Sequence, residues 1–367
     1  MKRPTWPALP VAIGTGLLLA LTALVPVAGA TAAPAPAAPT ARADLVDVPA
    51  RALVQRALDP DDYVCGPTMF DFYIDDLINA MTDEEFAFLL DHFDTLPDVP
   101  TYAPLFFGTD TDPTYALDAH AQQLQKAFRN VKSFWTGVKS DDIQLMAMHG
   151  DVLLDADLIA ATNALLAGTD VTDAIQDEAE EVAAFMATAG DFVDNPLWTL
   201  NAYAFSAEGD PDPSVQGLPD KLVFGDGFLA AYDSFGLGDV GPRVVMGHEF
   251  GHHIQYELDL FESEESPEAT RRAELMADSF ASYWAVHKKG LTLNAKRVVD
   301  TLLSFYTVGD CYVTDDGHHG TPLQRERAAD WGADLAKASS PKSSKLLASE
   351  VAARFEVKLP ELVAPDV

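Results

Sequence analysis

Cysteine is nearly absent: Cys65 and Cys311 are the only two in 367 residues, so at most one internal disulfide can form. Basic side chains are also scarce. Lys and Arg total 24 against 57 Asp and Glu, a net charge of −33. A surface of that sign is repelled by nucleic acid and by anionic membranes, so neither is an expected partner. The unbroken apolar run of about 20 residues that a membrane span needs is missing too. No cysteine follows the one apolar stretch near the N-terminus, which argues against lipid attachment there. No segment recurs at a fixed period, which argues against a repeat architecture.

Lys2 and Arg3 precede an apolar run from Val11 to about Val27, and Ala28-Gly29-Ala30 follows. This is the pattern of a secretory signal peptide over residues 1–30, which makes the chain an exported, secreted protein. Its removal takes away two basic residues and no acid, so the charge becomes −33 − 2 = −35. Residues 31–43 are mostly Ala and Pro and read as a linker. In an exported protein the even cysteine count predicts a Cys65–Cys311 disulfide. Closing a loop of that length stabilises by roughly 5 kcal/mol in the chain-entropy model.

Chemistry concentrates in Val245-Met246-Gly247-His248-Glu249-Phe250-Gly251-His252-His253. The pattern H-E-x-x-H on a helix places His248 and His252 on one face, where two imidazoles can hold one ion. Glu249 stands beside them, placed to take a proton from water at that ion. Catalytic zinc needs a third protein ligand. The segment Arg271-Arg272-Ala273-Glu274-Leu275-Met276-Ala277-Asp278 lies on a second expected helix, opened by Ser266 and Pro267. Glu274 and Asp278 share a face of that otherwise apolar helix. Glu274, 22 positions after His252 (274 − 252), is the expected third ligand. Asp278 is expected to accept the N–H of a liganding histidine and fix its tautomer. His149, His253 and His287 lack ligand spacing and read as structural.

The remaining chain divides by pattern. Residues 44–190 are mostly helical, with helices expected over 117–135, 141–154 and 172–189 and a Pro- and Asp-rich loop over 94–113. Residues 191–338 form the expected catalytic core. Short strands are expected at 200–205 and 221–224, and helices at 228–235 and 295–306. Thr321-Pro322-Leu323-Gln324 is a capping box with Pro at the first helical position. It puts His318, His319 and Gly320 on a loop that could face the metal. His319 and Tyr312 are both candidates to stabilise a developing oxyanion. The tail, 339–367, is expected to be weakly helical near 346–355 and mobile at its end.

The segments HEFGHHIQ, ELMADSFASYW, VGDC and HGTPLQRERAADW, in that order, resemble the neutral zinc metallopeptidases of bacteria, within the zincin group. The resemblance spans about Leu197 to Trp331, a third of the chain. The paired cysteines often found before the catalytic helix are absent here, and residues 44–190 match nothing in that family. The resemblance implies a secreted, zinc-dependent endopeptidase, a hydrolase with one Zn2+ held by His248, His252 and Glu274 and with Glu249 as general base. It also implies that the strand carrying Asn201, Ala202 and Tyr203 is the sheet edge on which a peptide lies. The expected fold is α+β: a zincin-like core with a small mixed sheet over the zinc helix, preceded by the helical region. Two alternatives stay open. One is a zincin-fold protein that binds zinc or a peptide without cutting it. The other makes residues 44–190 a self-inhibiting segment, with the Cys65 thiol as a latch on zinc.

Overall fold

The computed structural model describes residues 62–366 apart from 209, 211, 263–265 and 340–343. The expected signal peptide and linker, and residues 44–61, lie outside the described residues. The described chain opens with helices α1 (Met69–Asn79), α2 (Asp83–Asp91), α3 (Thr95–Phe106) and α4 (Ala121–Phe134). Thr68 and Thr82 close capping boxes with Asp71 and Glu85, which is why α1 and α2 begin where they do. Strand β1 (Gln144–Met148) follows, then α5 (Ala156–Leu166), α6 (Asp173–Met186), β2 (Ala202–Phe205) and β3 (Lys221–Gly225). The rest is helical: α7 (Asp226–Ser234), α8 (Gly241–Glu257), α9 (Pro267–Val286), α10 (Ala295–Thr307), α11 (Pro322–Ser339) and α12 (Ala348–Leu362).

The architecture is mixed α/β with one small sheet, ordered β1-β3-β2. β1 runs parallel to β3, with Gln144 opposite Lys221 and Met148 opposite Gly225. β2 runs antiparallel to β3, with Ala202 opposite Phe224. The sheet therefore takes one strand from before residue 190 and two from after it, and the two parts of the chain share one core.

Three expectations need correction. Residues 141–154 do not form a helix: 144–148 are β1, and 150–154 a short 3-10 turn. Gln, Leu, Met and Ala favour helix, but pairing with β3 and burial of Met146, Ala147 and Met148 override that preference. Residues 95–106, expected as loop, form α3 despite Pro100 and Pro104 inside it. Each internal proline costs a helix about 3 kcal/mol. Complete burial of Leu96, Val99, Ala103 and Leu105 outweighs that cost. Lys221 secures the end of α3, its Nζ donating to the carbonyls of Pro104, Leu105 and Gly108 at 2.9, 2.7 and 2.8 Å. The tail also departs from expectation. Val351, Phe355, Leu359 and Leu362 of α12 are buried, and Asp366 is held by Arg327 and by the Asp62 carbonyl.

Helix α9 lies at the centre of the helical part, between α8 and α11, and glycines allow the approach. A Cβ added at Gly251 would lie 2.9 Å from the Ala277 Cα, and one at Gly247 would lie 2.7 Å from the Trp284 ring. On the other side a Cβ at Gly332 would lie 2.4 Å from the Ser279 carbonyl oxygen. Gly251→Ala is therefore expected to push α8 from α9. Overpacking costs about 1–3 kcal/mol, more than the ~1 kcal/mol that alanine recovers in helix propensity. A lower melting temperature is the expected result. Unchanged melting would show that the helices yield freely at this contact.

Candidate metal centre and cavity

Helix α8 carries His248, Glu249 and His252 on a face turned toward Glu274 of α9. Ser266 caps α9 by accepting from Ala269 N, and Pro267 opens its first turn. The facing side chains converge. His248 Nε2 and His252 Nε2 are 3.0 Å apart, and each lies 3.2 Å from a different oxygen of Glu274. Three ligands on a tetrahedral zinc, at usual zinc–nitrogen and zinc–oxygen lengths, stand roughly 3.3–3.4 Å from one another. The triad needs only a few tenths of an ångström of opening to meet that spacing.

The outer nitrogens are held by the protein, which leaves both Nε2 atoms for an ion. His248 Nδ1 donates to Asp278 Oδ1 at 2.9 Å, and His252 Nδ1 donates to Gln255 Oε1 at 2.8 Å. Gln255 Nε2 donates in turn to the Ala273 carbonyl at 2.7 Å. Asp278 is fully buried and also accepts from Nε and Nη2 of Arg325, whose Nη1 donates to Glu274 Oε2 at 3.2 Å.

The electrostatics ask for a cation among these groups. Burial pushes the His248 imidazole down, but hydrogen bonds to Asp278 and Glu274 and their charges outweigh it and raise it to about 10. Burial would lift Glu274. The charges of His252 and His319, with hydrogen bonds from His248 and His252, hold it well below the usual carboxylate range. A proton on His248 stands in for the charge that a metal ion would bring. The donor set, its tautomers and its charge all fit Zn2+.

Glu249 behaves differently. It is buried, its Oε2 has no hydrogen-bond partner among the described residues, and burial raises its pKa. Burial of that kind favours the protonated carboxyl over the charged carboxylate.

The triad sits on the wall of a cavity of about 390 Å³. Glu249, His319 and Tyr312 share that wall. Asp310 organises the loop that bears the last two. It accepts from His319 N at 2.7 Å, from Tyr312 N at 2.9 Å and from His318 Nδ1 at 2.5 Å. Burial would lift Asp310, but the hydrogen bonds from His318 and His319 hold it below the usual range. The capping box at Thr321 is formed in both directions with Gln324. Cys65 and Cys311 are joined, with Cα atoms 5.7 Å apart, so Cys65 is no free thiol and cannot latch the centre. Cys311 lies at the cavity, and the bond ties the turn before α1 to its rim.

The strand residues divide. Asn201 and Ala202 line the cavity. Tyr203 does not: it points to the other face of the sheet, fully buried, with its hydroxyl donating to the Thr101 carbonyl at 2.8 Å. β2 is an edge by strand order, but all four of its residues are buried. The Asn201 carbonyl already accepts from Gly225 N.

Sequence reasoning missed Gln255, Arg325 and the contribution of α1. Gln255 was within reach, three residues after His252 and on the same helix face. Arg325 lay inside a quoted motif, but nothing local pairs it with Asp278. Phe70, Asp71, Ile74 and Asp75 of α1 line the cavity through long-range packing alone. Among the described residues, two other histidine–carboxylate groups are close enough for a metal, Asp118–His149–Asp226 and Asp220–His253–Glu257. In each, one histidine Nε2 already donates to a carbonyl, Ala116 for His149 and Lys139 for His253. Neither histidine has that nitrogen free for an ion.

Asp278→Asn retains one oxygen for three N–H donors, Nδ1 of His248 and Nε and Nη2 of Arg325. The expected result is a zinc affinity weakened by roughly 10–100-fold with the fold retained. Chelator competition measures the first and circular dichroism the second; an unchanged affinity would show that Asp278 does not act on the centre. No protein-family model matches this chain, and neither a curated protein nor a solved structure matches it.

Proposed function

We propose that this chain is an exported, zinc-dependent endopeptidase of the zincin type. The observation that carries the reading is the convergence of His248, His252 and Glu274 beside a buried Glu249 with an unpartnered oxygen. His248, His252 and Glu274 would hold the ion. Zinc there supplies Lewis acidity, which acidifies water and polarises a carbonyl. Glu249 takes the proton of the attacking water and passes it to the leaving amine. His319 and Tyr312, on the same wall, are the side chains available to meet the oxyanion. Asp278 and Gln255 keep both imidazoles in the tautomer that presents Nε2. The intramolecular disulfide supports an oxidising compartment, in keeping with the signal-like N-terminus.

The test is digestion of a generic protein such as casein by the purified chain, with chelation and zinc re-addition. The expected result is cleavage lost on chelation and recovered with zinc. A zinc-loaded chain that cleaves nothing would overturn the peptidase reading and favour a zinc-binding protein without hydrolysis.

A further inference from the structure

We propose that α1 is the substrate-selecting wall of the cavity, and that the site takes peptides carrying a bulky apolar side chain next to a lysine or arginine. This inference rests on the peptidase reading and names its substrate class.

Two rows of α1 face the cavity. Phe70 and Ile74, four residues apart, form an inner row and are buried. Asp71 and Asp75, also four apart, form an outer row, with Asp75 exposed. The inner row continues into an aromatic floor. Phe70 stacks on Phe228 with centroids 5.2 Å apart and meets Tyr232 edge-on at 5.6 Å. Phe305 also lines the cavity, and its ring lies 6.1 Å from that of His248. An apolar side chain placed there leaves water without meeting an unsatisfied polar wall.

The outer row sets the charge. Among the described residues that line the cavity, Arg325 is the one permanent cation, and Asp278 and Glu274 occupy it. Asp71 accepts from the Thr68 backbone and hydroxyl, which fixes its carboxylate without cancelling its charge. A basic side chain on the substrate is the partner this row lacks. The net charge of −33 works in the same direction by drawing cationic peptides. The cavity also shows a second sign that it takes a ligand, the buried and unpartnered Glu249 Oε2. The wall is held in place. The disulfide pins the turn before α1 to the loop of Asp310 and Tyr312, and the Tyr63 hydroxyl donates to the Val363 carbonyl at 3.4 Å.

The experiment measures equilibrium binding of end-blocked hexapeptides to the full zinc-loaded chain carrying Glu249→Gln. One peptide has leucine then arginine at its centre, a second alanine then arginine, a third leucine then glutamate. The alanine peptide is expected to bind weaker by on the order of tenfold or more. The glutamate peptide should bind weaker by roughly three- to tenfold at low salt, with the gap closing as salt rises. Adding Asp75→Asn, an exposed change that keeps the fold testable, should move the arginine-to-glutamate ratio toward one. Adding Ile74→Ala should shrink the leucine-to-alanine ratio. Equal binding of all three peptides, a ratio untouched by Asp75→Asn, or no binding at all would each overturn the proposal. Hydrolysis of the same peptides by the wild type separates the two readings. Selective binding without cleavage keeps the α1 wall and removes the peptidase. Cleavage without selectivity does the reverse.

Discussion

Glu249→Gln is expected to hold zinc at wild-type stoichiometry and to lose at least about 10²-fold in peptide hydrolysis, the lower end of what a positioned general base contributes. The substitution keeps size and nearly keeps shape. Glu249 binds none of the other centre residues through its free Oε2, so the triad should stay as it is. What changes is chemistry alone, because an amide cannot accept the water's proton at neutral pH. Metal analysis, a melting curve and casein digestion on the same preparation separate the possibilities. Full activity in the variant would remove Glu249 from the mechanism and leave the enzyme class untouched. Reduced zinc content would mean that Glu249 supports the centre and not only the reaction.

The second large effect is expected from Glu274→Ala. Its two oxygens face His248 and His252, one each, at 3.2 Å, and Oε2 also accepts from Arg325. The alanine variant removes one of the three proposed ligands and leaves two histidines beside an arginine that has lost a partner. Loss of most bound metal is expected, beyond the ~10–100-fold that an outer hydrogen bond is worth. His248→Ala and His252→Ala should do the same. Atomic spectroscopy on the purified variants measures the zinc content. Wild-type zinc in Glu274→Ala would exclude it as a ligand and turn attention to Asp278, which faces His248 from the other side.

What the sequence determined by itself was local or set by elimination. The four-residue spacing of His248 and His252, and of Glu274 and Asp278, follows from helical periodicity. The cap at Ser266-Pro267 and the capping box from Thr321 to Gln324 involve neighbours within three residues. The Cys65–Cys311 bond needed no geometry, since two cysteines allow one pairing. The mixed class was legible from two short strands expected among helical stretches. Tertiary structure decided everything that depends on partners far along the chain. A segment with prolines at 97, 100 and 104 became α3 because the core takes its apolar side and Lys221 takes its last carbonyls. Residues 144–148 became a strand because β3 offered a parallel edge. The tail was held because α12 buries its apolar residues and Arg327 holds Asp366. Arg325 entered the centre, and α1 the cavity wall, only through packing between remote helices. Such contacts combine many small burial and hydrogen-bonding gains across the chain, and they override local preferences of a kcal/mol or so per residue.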